Sequence, residues 1–219
     1  MTGRETVPTA NAYQALSRAL ALPAEWEPTL PEFVRASFRP LGEPLSGLAC
    51  GVAAAMEAAG DDLELAAVAH ARLFVGPFEI LAPPYASLFL DPEQRIMGPV
   101  TQQVAEAYAE AGLRPSSGPR EAPDHITLEF EFMYFLAFQE ATTGDALWND
   151  RQRRFWQDHL GHWLPDFAAA IDRSAAHPYY GALADLLAAF AERERVLFGG
   201  DPEHEPIGSE QENGSEQTT

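Results

Sequence analysis

One stretch of this chain limits the fold more than any other. Between residues 126 and 138 it carries Ile126, Leu128, Phe130, Phe132, Met133, Phe135, Leu136 and Phe138. On a helix these side chains cover most of the circumference. A helix that is apolar nearly all round is stable only in the middle of a bundle, covered by other helices. Glu129 and Glu131 ride on the same helix, and a carboxylate buried there needs partners.

The flanking sequence favours helices throughout. Stretches rich in alanine, leucine and glutamate dominate, and no convincing run of alternating β-branched residues occurs. A first helix is expected over 11–22, with Tyr13, Leu16 and Leu20 on one face and Pro23 as its stop. A second covers 30–38 and is closed by Pro40. A third covers 45–59 and ends at Gly60. Asp61 or Asp62 caps a fourth through Leu63, Ala67, His70 and Phe74. Residues 76–84 and 114–123, rich in proline and glycine, form loops. A helix over 99–111 lies between them. Asp124 is positioned to cap the long apolar helix, which runs to about residue 142. Two or three more helices fill 147–198. The expected architecture is all-α, a single-domain helical bundle of about 9–11 helices over residues 11–198. Residues 1–10 are expected to be a flexible N-terminus, and 199–219 a disordered acidic tail.

Charge and composition exclude several function classes. The net charge is −19, and all 14 basic residues are arginine. Phosphate binding needs clustered positive charge, so nucleic acid is not an expected partner. A basic partner fits. No apolar run is long and uninterrupted enough to cross a bilayer, so stable membrane insertion is not expected. The first eleven residues lack the basic-then-apolar layout of a secretory signal, so a cytoplasmic location is expected. The single cysteine, Cys50, can form no internal disulfide. Among Leu48, Ala49, Gly51 and Val52 it reads as a small core residue.

Catalytic constellations are sparse. Di-iron bundles use Glu-x-x-His on two helices, and no glutamate here has histidine three positions later. His159 and His162 share a helical face, which suits two metal ligands, but no third ligand accompanies them. The alternative is one satisfied and one surface histidine beside Trp156 and Trp163. Ser87 lies in no Gly-x-Ser-x-Gly elbow, and no Walker or Gly-x-Gly-x-x-Gly loop occurs. Asp124-His125 is a carboxylate–imidazole pair at a loop–helix junction, where helix capping is the ordinary reading. No catalytic residue, metal or cofactor is therefore expected. A helical metal-binding enzyme built on the histidines is the less favoured alternative.

Two segments are aromatic yet loop-like. One is R-L-F-V-G-P-F at 72–78, continuing to P-P-Y-A-S-L-F-L-D at 83–91. The other is P-D-H-I-T-L-E-F-E-F-M at 123–133. Together with His159-Leu160, Trp163, Phe167 and the run A-H-P-Y-Y-G-A-L at 176–183, these motifs resemble the redox-enzyme maturation chaperones of the TorD/DmsD/NarJ type. The DmsD branch, which serves dimethyl-sulfoxide-reductase-like molybdoenzymes, is the nearest in look. The resemblance covers about residues 10–198 and implies an all-helical single domain. It implies a cytoplasmic chaperone that binds the twin-arginine leader, and sometimes the body, of a molybdopterin oxidoreductase catalytic subunit until maturation finishes, before export. Translocase components are further partners it suggests. An assembly factor for a non-exported complex of the nitrate-reductase type is the alternative.

By the same resemblance, Leu73, Phe78, Tyr85, Asp124 and His125 are leader-binding, with Phe74 and Phe89 as supports. Tyr85, Phe78 and Phe89 stand where the closest branch has tryptophan, and His70 where it has an aromatic. The physics of such a ligand agrees. Two guanidinium groups followed by an apolar helix-forming stretch require carboxylates beside an apolar groove. Glu121, Asp124 and Glu129 are candidates for the charge, and Phe74, Phe78, Tyr85 and Phe89 for the walls. Ser87 and Pro123 complete the candidate site. Core packing is an equal reading for Leu73 and Phe74, which end a helix.

Overall fold

The computed structural model describes residues 3–60, 62–76, 80–114 and 121–199. Among them every extended element is helical. These are α1 (Gly3–Ala19), α2 (Leu30–Phe38), α3 (Leu45–Ala59), α4 (Leu63–His70), α5 (Ser87–Leu90), α6 (Pro99–Glu110), α7 (Ile126–Thr143), α8 (Ala146–Phe155), α9 (Gly161–Ser174) and α10 (Pro178–Phe198). The all-α bundle expected from the sequence is the observed fold. Among the described residues no helix is long and apolar enough to cross a membrane.

The apolar helix sits where its pattern requires. Phe130, Met133 and Leu136 of α7 are fully buried. Helix α1 lies along α7, and α10 packs on α9 and α3. Tyr13 of α1 joins the two halves. Its ring meets Phe130 at 6.0 Å and Phe190 of α10 edge-on at 5.0 Å. Its hydroxyl donates to the Glu194 carboxylate at 2.6 Å, with Arg193 on the other oxygen. Glu129 is also fully buried, and its oxygens accept from His159 Nε2 at 2.6 Å and Trp163 Nε1 at 3.1 Å. Both buried carboxylates thus have the partners that desolvation demands.

Several expectations are corrected. The first helix begins at Gly3 instead of residue 11, so the segment expected to be flexible is helical from its third residue. Thr6, Thr9 and Ala10 are buried, and Arg193 donates to the Thr9 hydroxyl at 3.1 Å. Small residues pack there without an apolar periodicity that marks a helix. Cys50 is exposed, because the buried face of α3 carries Ala49, Val52, Ala53 and Met56, and Cys50 is turned about 100° from Ala49. The cap of α7 is His125, whose Nδ1 accepts from Thr127 N; Asp124 lies one residue outside it. Gly199, with φ of 68°, closes α10 in the left-handed conformation that favours glycine. The expected tail beyond it, 200–219, lies outside the described residues.

Two segments depart from regular α geometry. Ala71–Val75, after α4, and Trp156–Leu160, after α8, are π-helical turns. The first carries Leu73 and Phe74 into the interior, leaving Val75 outside.

The central role of α7 is open to test. Phe130→Ala removes a fully buried ring from the α1–α7 contact. It should lower unfolding stability by about 3–5 kcal/mol in urea denaturation. A loss below about 1 kcal/mol, the level of an ordinary surface change, would contradict the packing described.

Candidate peptide-binding site

The site is assembled by two short segments that meet as an isolated antiparallel bridge between Tyr85 and His125. Ala86 N donates to Asp124 O at 3.0 Å, and Ile126 N donates to Pro84 O at 2.9 Å. The local sequence favours this pairing. Prolines 83, 84 and 123 disfavour helical conformation at the residues before them, and Pro84 and Pro123 offer carbonyls without competing N–H groups. A third bond locks the junction, from Ser87 N at the start of α5 to Asp124 Oδ2 at 3.0 Å. The Tyr108 hydroxyl braces it from α6 by donating to Pro123 O at 2.9 Å.

A cavity of about 470 Å³ opens beside this bridge. Its apolar wall is formed by Leu20, Phe74, Val75, Ile126 and Phe167, and Tyr85 adds an aromatic face. Glu25, Glu121 and Glu131 bring three carboxylates to it, and His70 and His125 two imidazoles. Arg18 also reaches the wall, but its guanidinium is held by Glu27 at 2.6 Å and lies over the Phe33 ring. Tyr85 donates its hydroxyl to Glu121 Oε2 at 2.7 Å and sets its ring edge-on to His125 at 5.1 Å.

The electrostatics follow from partial burial. Desolvation holds the His70 imidazole below its ordinary value, partly offset by the Leu20 carbonyl and Glu25. Desolvation does the same to His125, offset by Glu121 and Asp124. A backbone N–H can only donate, so His125 Nδ1 is the acceptor for Thr127 N and its neutral form carries the proton on Nε2. Glu131 is raised by desolvation, with the Ser17 hydroxyl acting in the opposite sense. Tyr85 is raised by burial and then by Glu121, so it remains a neutral donor.

The structure separates the residues singled out from the sequence. Tyr85, Glu121, His125 and Phe74 meet at the cavity. Leu73 is only 2% exposed and belongs to the core, where its carbonyl accepts from Ala82 N at 2.9 Å. Phe89 packs on Trp163 and Phe167 with centroids at 5.4 and 6.4 Å, behind the cavity wall. Ser87 is fully buried, and Pro123 contributes a carbonyl to Tyr108. Asp124 has no exposed surface and serves Ser87 N; it is not at the cavity. Glu129 is likewise sealed in the core by His159 and Trp163. Phe78 lies outside the described residues.

Other residues at the cavity escaped the sequence reading. Glu131 had a usable signal, because it lies about 200° around α7 from Glu129 and so must face another way. Glu25, in the short turn Pro23–Glu25, had none, since nothing local tells that this turn faces α4.

Two of the polar residues singled out from the sequence are engaged elsewhere. The Ser87 hydroxyl is buried in the core, and His125 Nδ1 is occupied by the α7 cap. Among the described residues no group of three or more His, Cys, Asp or Glu side chains is arranged to hold a metal ion, and His159 is engaged with Glu129. What the arrangement can do is hold a cation against apolar surface.

Two predictions test these assignments. Asp124→Ala leaves the buried Ser87 N–H unpaired and should cost about 1–3 kcal/mol in chemical denaturation, whereas Asp124→Asn keeps an acceptor and should cost less. Equal losses would show that the Ser87 bond is not what Asp124 provides. The second concerns pH. An imidazole held below its ordinary 6.5 binds its proton later in the folded chain than in the unfolded one. Stability is therefore lost as pH falls through 6.5 toward the depressed value. Glu129, Glu131 and Glu194, all raised, act in the opposite sense, so the comparison must be differential. Between about pH 7.5 and about pH 5.5, wild type should lose more stability than His70→Gln. An identical pH dependence would contradict the burial of a neutral His70.

Comparison with known proteins shows the family to which the chain belongs. Residues 27–169, more than half of the chain, match the family model described as nitrate reductase delta subunit. A TorD chaperone from Psychrobacter sp. (strain PRwf-1) is 34% identical over 137 residues, 61% of this chain and 61% of that protein. The Tat proofreading chaperone DmsD of Salmonella typhi is 32% identical over 115 residues, 52% of this chain and 53% of that protein. The match therefore spans roughly half to three fifths of these relatives' lengths. Among solved structures, one assigned as a redox enzyme maturation protein from Archaeoglobus fulgidus shares the fold. Its TM-score is 0.54 at 21% identity, over 84% of this chain and 93% of that one. The chain belongs to the nitrate reductase delta subunit family, the family of the TorD and DmsD chaperones.

Proposed function

We propose that this protein is a cytoplasmic chaperone that binds the twin-arginine leader of a dimethyl-sulfoxide-reductase-like molybdoenzyme catalytic subunit and assists its maturation before export. One observation carries the proposal: a cavity with apolar walls that gathers Glu25, Glu121 and Glu131 beside the Tyr85–His125 bridge. Relatives named as a TorD chaperone and a Tat proofreading chaperone support the same reading.

The chemistry of the ligand fits the chemistry of the cleft. A guanidinium pairs poorly with an exposed carboxylate and better with one flanked by apolar surface. Glu121 and Glu131 are exposed at a cavity whose lining also includes Phe74, Ile126 and Phe167, the apolar surface against which a bound guanidinium is shielded. The net charge of −19 attracts a basic segment from a distance and disfavours acidic ones. The family description also favours a second reading, in which the client is a non-exported complex of the nitrate-reductase type. Co-purification from the native cell separates the two, because the captured subunit either carries a leader or lacks one.

Titration calorimetry tests the proposal. A twin-arginine leader peptide should bind, and Glu121→Gln/Glu131→Gln should weaken it by about tenfold or more, since hydrogen bonds to charged groups are each worth about 1.5–3 kcal/mol. Affinity should also fall as salt is raised. Absence of binding by several such leaders, or an unchanged affinity in the double variant, would overturn the proposal.

A further inference from the structure

Helix α4 presents its apolar side chains the wrong way for a helix of a closed bundle. Its inner face is made by Ala66, while Leu65 and Val68 stand 59% and 60% exposed. Val75, at the end of the π-helical turn that extends α4, is 63% exposed. Leu65 and Val68 are spaced i, i+3 and share one outer face of α4, and Val75 stands exposed at the end of the π-helical turn that follows. The turn Pro23–Glu25 packs against α4, and Leu22, 39% exposed, stands at its start. Scattered apolar side chains on a surface need no explanation, but a contiguous group beside a cavity marks an interaction site. Leu22 and Val75 are exposed and also line the cavity, so the cavity rim lies at the end of the segment that α4 leads into.

We infer that the outer face of α4 is the seat for the apolar stretch of a bound leader, which fixes the direction of the peptide: arginines at the cavity, apolar body running outward from Val75 toward Leu65. The inference rests on the proposed function and adds the location and polarity of the bound segment. Charge selects the occupant. A second copy of the chain would bring two bodies of charge −19 together, with acidic cavities side by side. The chain's own residues 200–219 carry six acids and no base, and the carboxylates of the cavity repel them. A segment that is apolar along its length and cationic at one end matches the outer face of α4 at one end and Glu25, Glu121 and Glu131 at the other. An apolar helix laid on such a face anchors through side chains spaced three, four and seven residues apart.

The test uses the full chain and two synthetic peptides. One carries an arginine pair followed by an alanine–leucine stretch. The other keeps the arginines and replaces that stretch with serine at equal length. Leu65→Ser/Val68→Ser alters only exposed side chains and should leave the unfolding midpoint unchanged. It should weaken the apolar peptide by about tenfold or more and leave the serine peptide's affinity as it was. Glu121→Gln/Glu131→Gln should weaken both peptides. If Leu65→Ser/Val68→Ser leaves the apolar peptide's affinity unchanged, the inference is overturned while the arginine site stands. If that variant instead abolishes self-association in sedimentation without affecting either peptide, a second copy is the occupant and the inference is again overturned. If neither peptide binds the wild-type chain, the proposed function itself falls and takes the inference with it.

Discussion

Two main-chain hydrogen bonds hold the candidate site together. Ala86 N to Asp124 O and Ile126 N to Pro84 O join segments that are far apart in sequence and set the loop before α5 against the entry to α7. Buried backbone polar groups must be paired, and here no regular helix or sheet is available to pair them. The Asp124 side chain adds the bond to Ser87 N that ties the start of α5 to the same point. Tyr85, Glu121 and His125 then stand at the cavity because the bridge puts them there. A site made this way is rigid where the backbone is paired and adaptable where side chains reach past it.

The carboxylates of this acidic chain divide by environment. Glu129 and Glu194 are buried and fully engaged, by His159 and Trp163 in one case and by Tyr13 and Arg193 in the other. Asp124 is buried and holds backbone. Glu25, Glu121 and Glu131 are left at the cavity, where a cation can reach them. Only the last group suits ligand binding, because a carboxylate already desolvated and paired gains little from a new partner and loses what it has.

Much of the fold was legible, and the reason is punctuation. The bounds expected for α2 and α3 match the observed Leu30–Phe38 and Leu45–Ala59, because Pro40 and Gly60 stop those helices unambiguously. The all-round apolar α7 announced its central place. The start of α1 was missed because Thr6 and Thr9 are buried polar residues with no periodic signal. The motifs lie on two segments that meet in the structure, and Tyr85, Glu121 and His125 from them line one cavity. Spacing could not tell that Asp124 and Glu129 turn inward, since a carboxylate facing a buried histidine or an amide has the same sequence signature as one facing solvent. Glu25 and His70 come to the cavity only through the packing of the first turns against α4, which is tertiary information.

The central claim is that one cleft, built on the Tyr85–His125 bridge, grips arginine-bearing polypeptide. Hydrogen–deuterium exchange of the full chain with and without a twin-arginine leader addresses it most directly. The account predicts slower exchange on peptide addition in the turn around Glu25, in the residues from His70 to Val75, and in the stretch from Glu121 to Glu131, with the α9–α10 contact unchanged. Protection confined to a different face, or an unaltered exchange pattern with saturating peptide, would contradict it.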